Sequence, residues 1–467
     1  MDTVYSRRKI IIIGVFLIAG AALVIRLFYV QIVADKYVLS ANNNVLRYMT
    51  QYPARGLIYD RYGKLLVYNE AAYDLMVIPK QAKNFDTAEL CNLLGIEKAD
   101  LIDRLKKAYK YSPYRPSIFE AQISRENYGF LEEKMFRFPG FFVQSRTLRK
   151  YTYPVAAHTF GYIGEVSPDI IGRNAYYRSG DYIGISGIEK SYEDILRGKK
   201  GMKIRVYDVF NRDKGSFQEG RYDTTAYPGT DLYSSLDVEL QQYGELLMSG
   251  KKGSIVAIEP SSGEILALVS VPGYNPNLLV GRERKKNYAM LAGDMEEVPL
   301  FNRALMAMYP PGSTFKLVNA LVGQQEGVLF PDTRYACPRG FAIGNGHVVG
   351  CHPHGSPLNL IESIQHSCNT YYCRVFVSII NKKPFSTTRD AYVIWRNHVM
   401  SMGFGQKLGI DLPNELNGNI PSPEYYDRYH GPGRWTAMAV ISLAIGQGEI
   451  GITPIQMANL AAMISNR

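Results

Sequence analysis

The chain has 467 residues, of which 46% are hydrophobic and 21% charged, and its formal net charge is +10. That length exceeds what one hydrophobic core usually supports, so two or more domains are expected, and the balanced composition excludes a disordered or fibrous chain. A basic excess suits nucleic acid, an anionic membrane or an anionic polymer. No zinc-finger spacing of the nucleic-acid type occurs and the basic residues are dispersed, so nucleic acid is not an expected partner.

The first predicted element is a membrane anchor. "SRRK" (6–9) precedes the uncharged run "IIIIGVFLIAGAALVI" (10–25), and apolar residues resume after Arg26 as far as Val33. A helix over 10–33 exceeds the roughly 20 residues needed to cross a bilayer. Arg26 near its far end can snorkel. Positive residues before the span make 1–9 a cytoplasmic tail and place the bulk of the chain beyond the membrane. A cleaved signal peptide ending near "AGA" (19–21) is the competing reading; the apolar run continues past that site, which favours the anchor.

Residues 34–250 mix strands and helices without a dominant period, and read as one long membrane-proximal region. Within them "ARGLIYDRYGKLLVYNEAAYDLMVIP" (54–79) predicts two strands around a turn at Tyr62-Gly63 and another near Tyr73–Ile78. Arg55, Asp60 and Arg61 read as an Arg–Asp pair holding that turn. The basic runs "RGKKG" (197–201) and "RERKK" (282–286) read as solvated loops.

A boundary is expected near Ser249–Gly253, so that 251–467 forms a second domain. It opens on a hairpin, "SIVAIE" (254–259) and "EILALVSV" (264–271) around "PSSG". Both strands are apolar at nearly every position, which predicts a layered α+β domain with helices over a sheet. Residues 281–300 read as a charged loop. A helix is expected over Thr314–Gln325, punctuated by Pro310-Pro311-Gly312. "HSCNTYYCRVFVSII" (366–380) is apolar with a polar entry, and "WTAMAVISLAIG" (435–446) reads as a buried helix. The final segment, 453–467, is expected to start with Thr453 as N-cap and Pro454 at its first position, burying Met457, Leu460, Ala461 and Ile464.

"YPPGSTFK" (309–316) poses the chemical question. Ser313 suits a helix N-cap, and the same Ser-x-x-Lys spacing recurs at Ser6–Lys9 and Ser249–Lys252. Yet residues i and i+3 share a helix face. A lysine relieved of its proton by burial can act as base for a hydroxyl one turn away. The N–H groups of a helix start can also bind an oxyanion. "SCN" (367–369) adds a hydroxyl and an amide, Ser367 and Asn369, able to face one cleft in a bent loop; "SAN" (40–42) matches as well.

Longer motifs carry a resemblance. "PLFNRALMAMYPPGSTFK" (299–316) resembles the active-site helix of penicillin-binding proteins, the serine transpeptidases of peptidoglycan, and "HSCNTYY" (366–372) resembles their second motif. "ARGLIYDRYG", "GISGIEKSYEDILRGKKG" (184–201) and "IGQGEIGITPIQMANLAAMISNR" (445–467) are similar to the class B branch, above all its elongation type. The resemblance spans nearly the whole chain. It implies an N-terminal anchor, a pedestal or dimerisation domain and a transpeptidase domain. It implies Ser313 as nucleophile towards the carbonyl between two D-alanines of a stem peptide, Lys316 as its base, Ser367 as proton relay, and Asn369 as a hydrogen-bonding partner of the substrate or of Lys316. β-Lactams would acylate Ser313. No cofactor is implied for catalysis, and the implied partner is a polytopic membrane glycosyltransferase. The family's third motif, Lys-Thr/Ser-Gly, does not follow Ser313 here, and a chain ending inside a helix reads as cut short before it. A division-type transpeptidase and a non-catalytic penicillin-binding sensor or scaffold are the alternatives.

Five cysteines occur, an odd number. Cys337, Cys351, His354 and Cys368 offer a tetrahedral set for zinc. The elongation-type relatives carry such ligand types in this region. His352 and His366 are alternative nitrogen ligands. A Cys337–Cys351 disulfide and buried free thiols are the other readings. Cys373, in the apolar stretch after "SCN", reads as core.

Overall fold

A computed structural model describes residues 2–29, 46–123, 125–207, 213–344, 346–383, 385 and 387–466. The chain divides into two compact units, one of residues 1–56 and 197–230 and the other of 57–196 and 231–467.

The first unit holds the helix α1 (Asp2–Phe28). Its described side chains from Ile12 to Phe28 are nearly all exposed, aliphatic ones included. Among the described residues no helix is long and apolar enough to cross a membrane. The expected anchor falls partly outside them: residues 30–33 are not described, nor are the side chains of Ile10 and Ile11. The unit's sheet is antiparallel, with 46–51 pairing 201–207 and the latter pairing 213–216. The run 197–201 therefore leads into a strand rather than a free loop. Gly201 opens that strand at a close approach: a Cβ there would lie 2.4 Å from the Ala226 backbone nitrogen.

In the second unit a mixed sheet contains β1 (Ile58–Tyr59), β2 (Leu65–Val77), β3 (Ser117–Ile123), β4 (Phe141–Tyr151) and β5 (Leu232–Tyr233). β2 is one continuous strand of 13 residues, not two. Its eleven-residue register with β4, Val67↔Tyr151 through Val77↔Phe141, runs unbroken through Glu70 and Ala71. The turn before it is held by Asp60, whose buried carboxylate accepts from Tyr62 N–H at 2.9 Å and Lys64 N–H at 2.8 Å. Arg61 instead reaches Glu259 and Glu264, each at 3.6 Å.

Helix α2 (Val238–Leu247) starts under Asp237, which accepts from the N–H groups of Glu239 and Leu240. It packs on the hairpin of β6 (Gly253–Ile258) and β7 (Ile265–Val271), so closely that a Cβ on Gly244 would lie 2.7 Å from Val269. β7 is buried over its last five residues while β6 is half-buried throughout, so the expected two-sided cover holds for β7 alone. One apolar core joins this hairpin to the mixed sheet: Ile58, Val67 and Phe160 pack with Leu268, Leu305 and Ile455.

Residues 281–300 are not a loop: they hold helix α3 (Arg284–Gly293), whose only buried side chain is Leu291. A short helix α4 (Arg303–Met306) follows, then a single 3₁₀ turn, Gly312–Phe315, and helix α5 (Lys316–Gln325). β8 (Gly340–Gly344) and β9 (His347–Gly350) form a small hairpin. Helices α6 (Asn369–Ile380) and α7 (Thr388–Ser401) complete a core around Phe315, Phe376, Tyr392 and Trp395, all fully buried. The segment 437–445 lies in that core as expected, but as 3₁₀ turns interrupted at Val440 rather than an α-helix. Its Ala, Met and Leu residues favour an α-helix, so tertiary contacts override local propensity here.

Helix α8 (Pro454–Asn466) closes the described chain. Its buried face is Ile455, Gln456 and Leu460; Met457 is half-buried, and Ala461 and Ile464 are exposed. The helix start is fixed differently from the expectation. Gln456 Oε1 accepts from Thr453 N–H at 3.1 Å, while the buried Thr453 hydroxyl has no partner among the described residues.

Candidate active site

Ser313 sits in the 3₁₀ turn ahead of α5, with Gly312 before it at φ +59°. Its side chain is exposed, and its hydroxyl has no hydrogen-bond partner among the described residues. The capping interpretation fails on geometry. Pro311 and Phe315 hold the cap positions of the turn and of α5, with no side-chain cap bond at either. Thr314 does the local bonding, donating to the Pro311 carbonyl at 2.6 Å.

Lys316 opens α5 and is 3% exposed. Its Nζ donates to the Ser367 carbonyl at 2.6 Å, the Ser367 hydroxyl at 2.9 Å and Asn369 Oδ1 at 2.6 Å. Three acceptors match the three protons of an ammonium. Burial pulls the amine below the ordinary lysine value, against an opposing pull from Cys351, Cys368 and Cys373. The lysine of Ser-x-x-Lys thus meets both polar residues of Ser-x-Asn, some fifty positions on, at one nitrogen. Of the other matches, Lys252 pairs with Glu297 at 3.1 Å in an exposed ion pair, and 40–42 lie outside the described residues.

Ser367 is a non-glycine residue at φ +48°, a costly conformation that persists only where surroundings enforce it. Here its carbonyl and hydroxyl both engage Lys316. Asn369 is held from two further directions. Its N–H donates to Cys351 Sγ at 3.3 Å, and its Nδ2 donates to the Gly350 carbonyl at 2.8 Å.

Behind these residues lie Cys337, Cys351, His354 and Cys368, whose ligand atoms all fall within 4.8 Å of one another. Cys351 Sγ is 3.4 Å from His354 Nε2 and 3.9 Å from Cys368 Sγ. His354 Nδ1 lies 2.6 Å from the Gly355 carbonyl, which assigns the proton to Nδ1 and leaves Nε2 as a lone-pair donor. All five cysteines are free thiols, so the Cys337–Cys351 disulfide is not formed. His352 and His366 flank His354, ring centroids 5.4 and 5.7 Å away, and contribute no ligand atom to the cluster. Cys373 is fully buried among core residues.

Two features of the site escaped sequence reasoning. The Ser367 carbonyl is a main-chain group and leaves no sequence mark. Asn319, fully buried one turn beyond Lys316, ties α5 to the 437–445 segment; an asparagine inside an apolar helix run was the available signal.

Residues 50–234 match the penicillin-binding protein dimerisation domain and residues 253–467 the penicillin-binding protein transpeptidase domain. The chain is 33% identical over 474 residues to peptidoglycan D,D-transpeptidase MrdA of Acinetobacter baumannii, covering 99% of this chain and 68% of that one. The chain belongs to the penicillin-binding protein family. A second relative of this family, MrdA of Escherichia coli K12, is 29% identical over 491 residues, covering all of this chain and 73% of that one. Penicillin-binding protein PBP2 of Helicobacter pylori, solved in complex with MreC, superposes with a TM-score of 0.74 at 25% identity, over 88% of this chain and 76% of that one. Pseudomonas aeruginosa PBP2, solved with the compound WCK 5153, gives a TM-score of 0.62 at 27% identity, over 90% and 70% of the two chains. A penicillin-binding protein therefore accounts for both halves of the chain, pedestal and transpeptidase.

Proposed function

We propose that this penicillin-binding protein is a serine D,D-transpeptidase that crosslinks peptidoglycan stem peptides during cell elongation, with Ser313 as nucleophile and Lys316 as its base. The observation that carries the site assignment is the buried Lys316 amine, held by Ser367 and Asn369, three positions after an exposed and unengaged Ser313 hydroxyl. Relatives named MrdA at 28–33% identity, against 25% for FtsI of Escherichia coli, favour the elongation type.

The chemistry follows from the residues. The Ser313 hydroxyl attacks the carbonyl between two D-alanines, and its proton passes to neutral Lys316. A C–O bond forms and the carbonyl becomes a tetrahedral oxyanion, which the Ser313 backbone N–H in the turn is suited to receive. The C–N bond then breaks. The leaving amine takes a proton from Lys316, relayed by the Ser367 hydroxyl, and D-alanine departs. The amine of a second stem peptide attacks the acyl-enzyme in the reverse sequence, forming the crosslink and freeing Ser313. Lys316 thus alternates between amine and ammonium. Burial favours the first state and its three acceptors favour the second, so neither is a trap.

Three further readings belong to this proposal. The chain divides near 250–251 into a pedestal of 34–250 and a transpeptidase domain of 251–467. Residues 10–33 anchor it in the cytoplasmic membrane with 1–9 inside, on the strength of the uncharged run in α1. Its partner is a polytopic glycosyltransferase that polymerises the glycan it crosslinks; one solved relative is described as a peptidoglycan synthase complex coordinating polymerisation and crosslinking.

A structural zinc ion also fits. Tetrahedral zinc with sulfur at about 2.3 Å and nitrogen at about 2.0 Å brings its ligand atoms to roughly 3.5–3.8 Å from one another. The 3.4 and 3.9 Å separations at Cys351 suit that geometry. Cys337, Cys351, His354 and Cys368 would hold the ion, which would brace the loop bearing Ser367 and Asn369 and take no part in acyl transfer.

The test is covalent labelling of the intact protein with a fluorescent penicillin. The expected result is one label per chain, mapped by mass spectrometry to Ser313 and lost in Ser313→Ala. An unlabelled parent, or a label on another residue, rejects the assignment.

A further inference from the structure

The Ser313 hydroxyl makes no hydrogen bond among the described residues, so its position rests on the main chain that carries it. That main chain is held by the segment 443–452 at three points. Tyr309 and Ile452 exchange two backbone bonds, at 3.0 and 2.8 Å. The Gly312 N–H donates to the Gly446 carbonyl at 2.8 Å. Asn319 Nδ2, one turn beyond Lys316, donates to the carbonyls of Leu443 and Ala444 at 3.1 and 3.0 Å. Asn319 is itself fixed: it is fully buried, and its Oδ1 accepts from Trp395 Nε1 at 2.9 Å.

Gly446 is the tightest of these contacts. It lies at φ +67°, and a Cβ there would meet Gly312 O at 2.3 Å, Phe315 Cβ at 2.6 Å and Gly312 N at 2.9 Å. Two of those atoms are backbone of the residue before Ser313, and the third belongs to a fully buried side chain packed edge-on against Trp395 and Phe404. No flexible end is available to give way. Lys316 is held independently, by acceptors at 367 and 369. The spacing between hydroxyl and amine is therefore set by two separate supports.

We infer that Gly446 and Asn319 are positioning residues for acylation: they form a clamp that fixes the Ser313 turn against the Lys316 amine. This rests on Ser313 and Lys316 having the roles proposed above. The clamp touches no substrate. Its effect is confined to the step in which the hydroxyl attacks, because displacing a nucleophile by about 1 Å is enough to cost on the order of 100-fold in rate.

The test measures acylation of the intact protein by a fluorescent penicillin in rapid-mixing experiments that separate the non-covalent dissociation constant from the acylation rate constant. Gly446→Ala and Asn319→Leu are compared with Val399→Ala, a cavity in the same core on α7 with no bond to the clamp. The expected result is an acylation rate constant lowered by about 100-fold in the first two, with non-covalent affinity within about twofold of the parent. Val399→Ala should acylate as the parent does despite a lowered melting temperature. Should Gly446→Ala fail to fold, Asn319→Leu decides. Acylation rates that merely follow melting temperature across all three variants, or a parental rate in Gly446→Ala or Asn319→Leu, overturn the inference. A parent that is not acylated at all rejects the site assignment instead.

Discussion

Asn369→Ala is the most informative single change at the site. Asn369 Oδ1 is one of three acceptors on Lys316 Nζ, at 2.6 Å, and the amine is 3% exposed, so water is poorly placed to replace it. In the proposed reaction, Lys316 becomes an ammonium as Ser313 attacks, and all three acceptors turn into charge-assisted partners. A hydrogen bond to a charged group is worth about 1.5–3 kcal/mol. Losing one should slow acylation by about 10- to 150-fold. The folded protein also loses about 1–3 kcal/mol of stability, because a buried Lys316 donor is left unsatisfied; the amide's other side-chain bond, to the Gly350 carbonyl, is exposed and adds little. The assay is single-turnover acylation by a fluorescent penicillin at saturating concentration, read beside thermal melting. An acylation rate within threefold of the parent, with the amine still buried, would refute the role given to these acceptors.

Two other predictions concern stability and metal. Arg149 and Glu189 form an ion pair in the second unit, 1% and 0% exposed, with Nε to Oε1 at 2.6 Å. Glu189→Ala leaves the guanidinium buried without that partner and should destabilise the protein by about 3–5 kcal/mol, measured by chemical denaturation; a loss below 1 kcal/mol contradicts the pairing. Protein purified without chelator should carry about one zinc per chain by elemental analysis. Cys351→Ser should lose that zinc and lower the melting temperature, whereas metal-free protein with three titratable thiols at the cluster rejects the zinc reading.

Much of the site was legible because its chemistry is written in side chains. Ser313, Lys316, Ser367 and Asn369 were expected together, and the Lys316 amine does contact the last two. The same holds for Cys337, Cys351, His354 and Cys368, which converge as a single cluster. What sequence reasoning missed depends on main-chain geometry. A left-handed Ser367 has no local sequence cause, since serine does not favour φ +48°. The 3₁₀ turn ahead of α5 replaced an expected helical start, and with it the capping role of Ser313 disappeared. Residues 284–293 read as loop because their charges mask a helix that buries only Leu291. The strand expected separately near Tyr73–Ile78 is part of the long β2, because tertiary pairing with β4 runs on through Glu70 and Ala71 and overrides weak strand propensity there. At the end of α8, periodicity placed Ile464 in the core, yet it is 42% exposed.

The central claim is that burial frees the Lys316 amine to serve as base for Ser313. A protonated amine cannot accept the proton, so acylation should be slow at low pH and rise as the lysine deprotonates. Because burial lowers its pKa from the ordinary value of 10.5, the midpoint of that rise should lie below the pH at which an ordinary lysine titrates. The measurement is the pH dependence of the acylation rate constant for benzylpenicillin, with Lys316→Ala as control. The account predicts a rise with its midpoint below 10.5 that vanishes in the control. A midpoint at or above 10.5, or the same profile in Lys316→Ala, would contradict it.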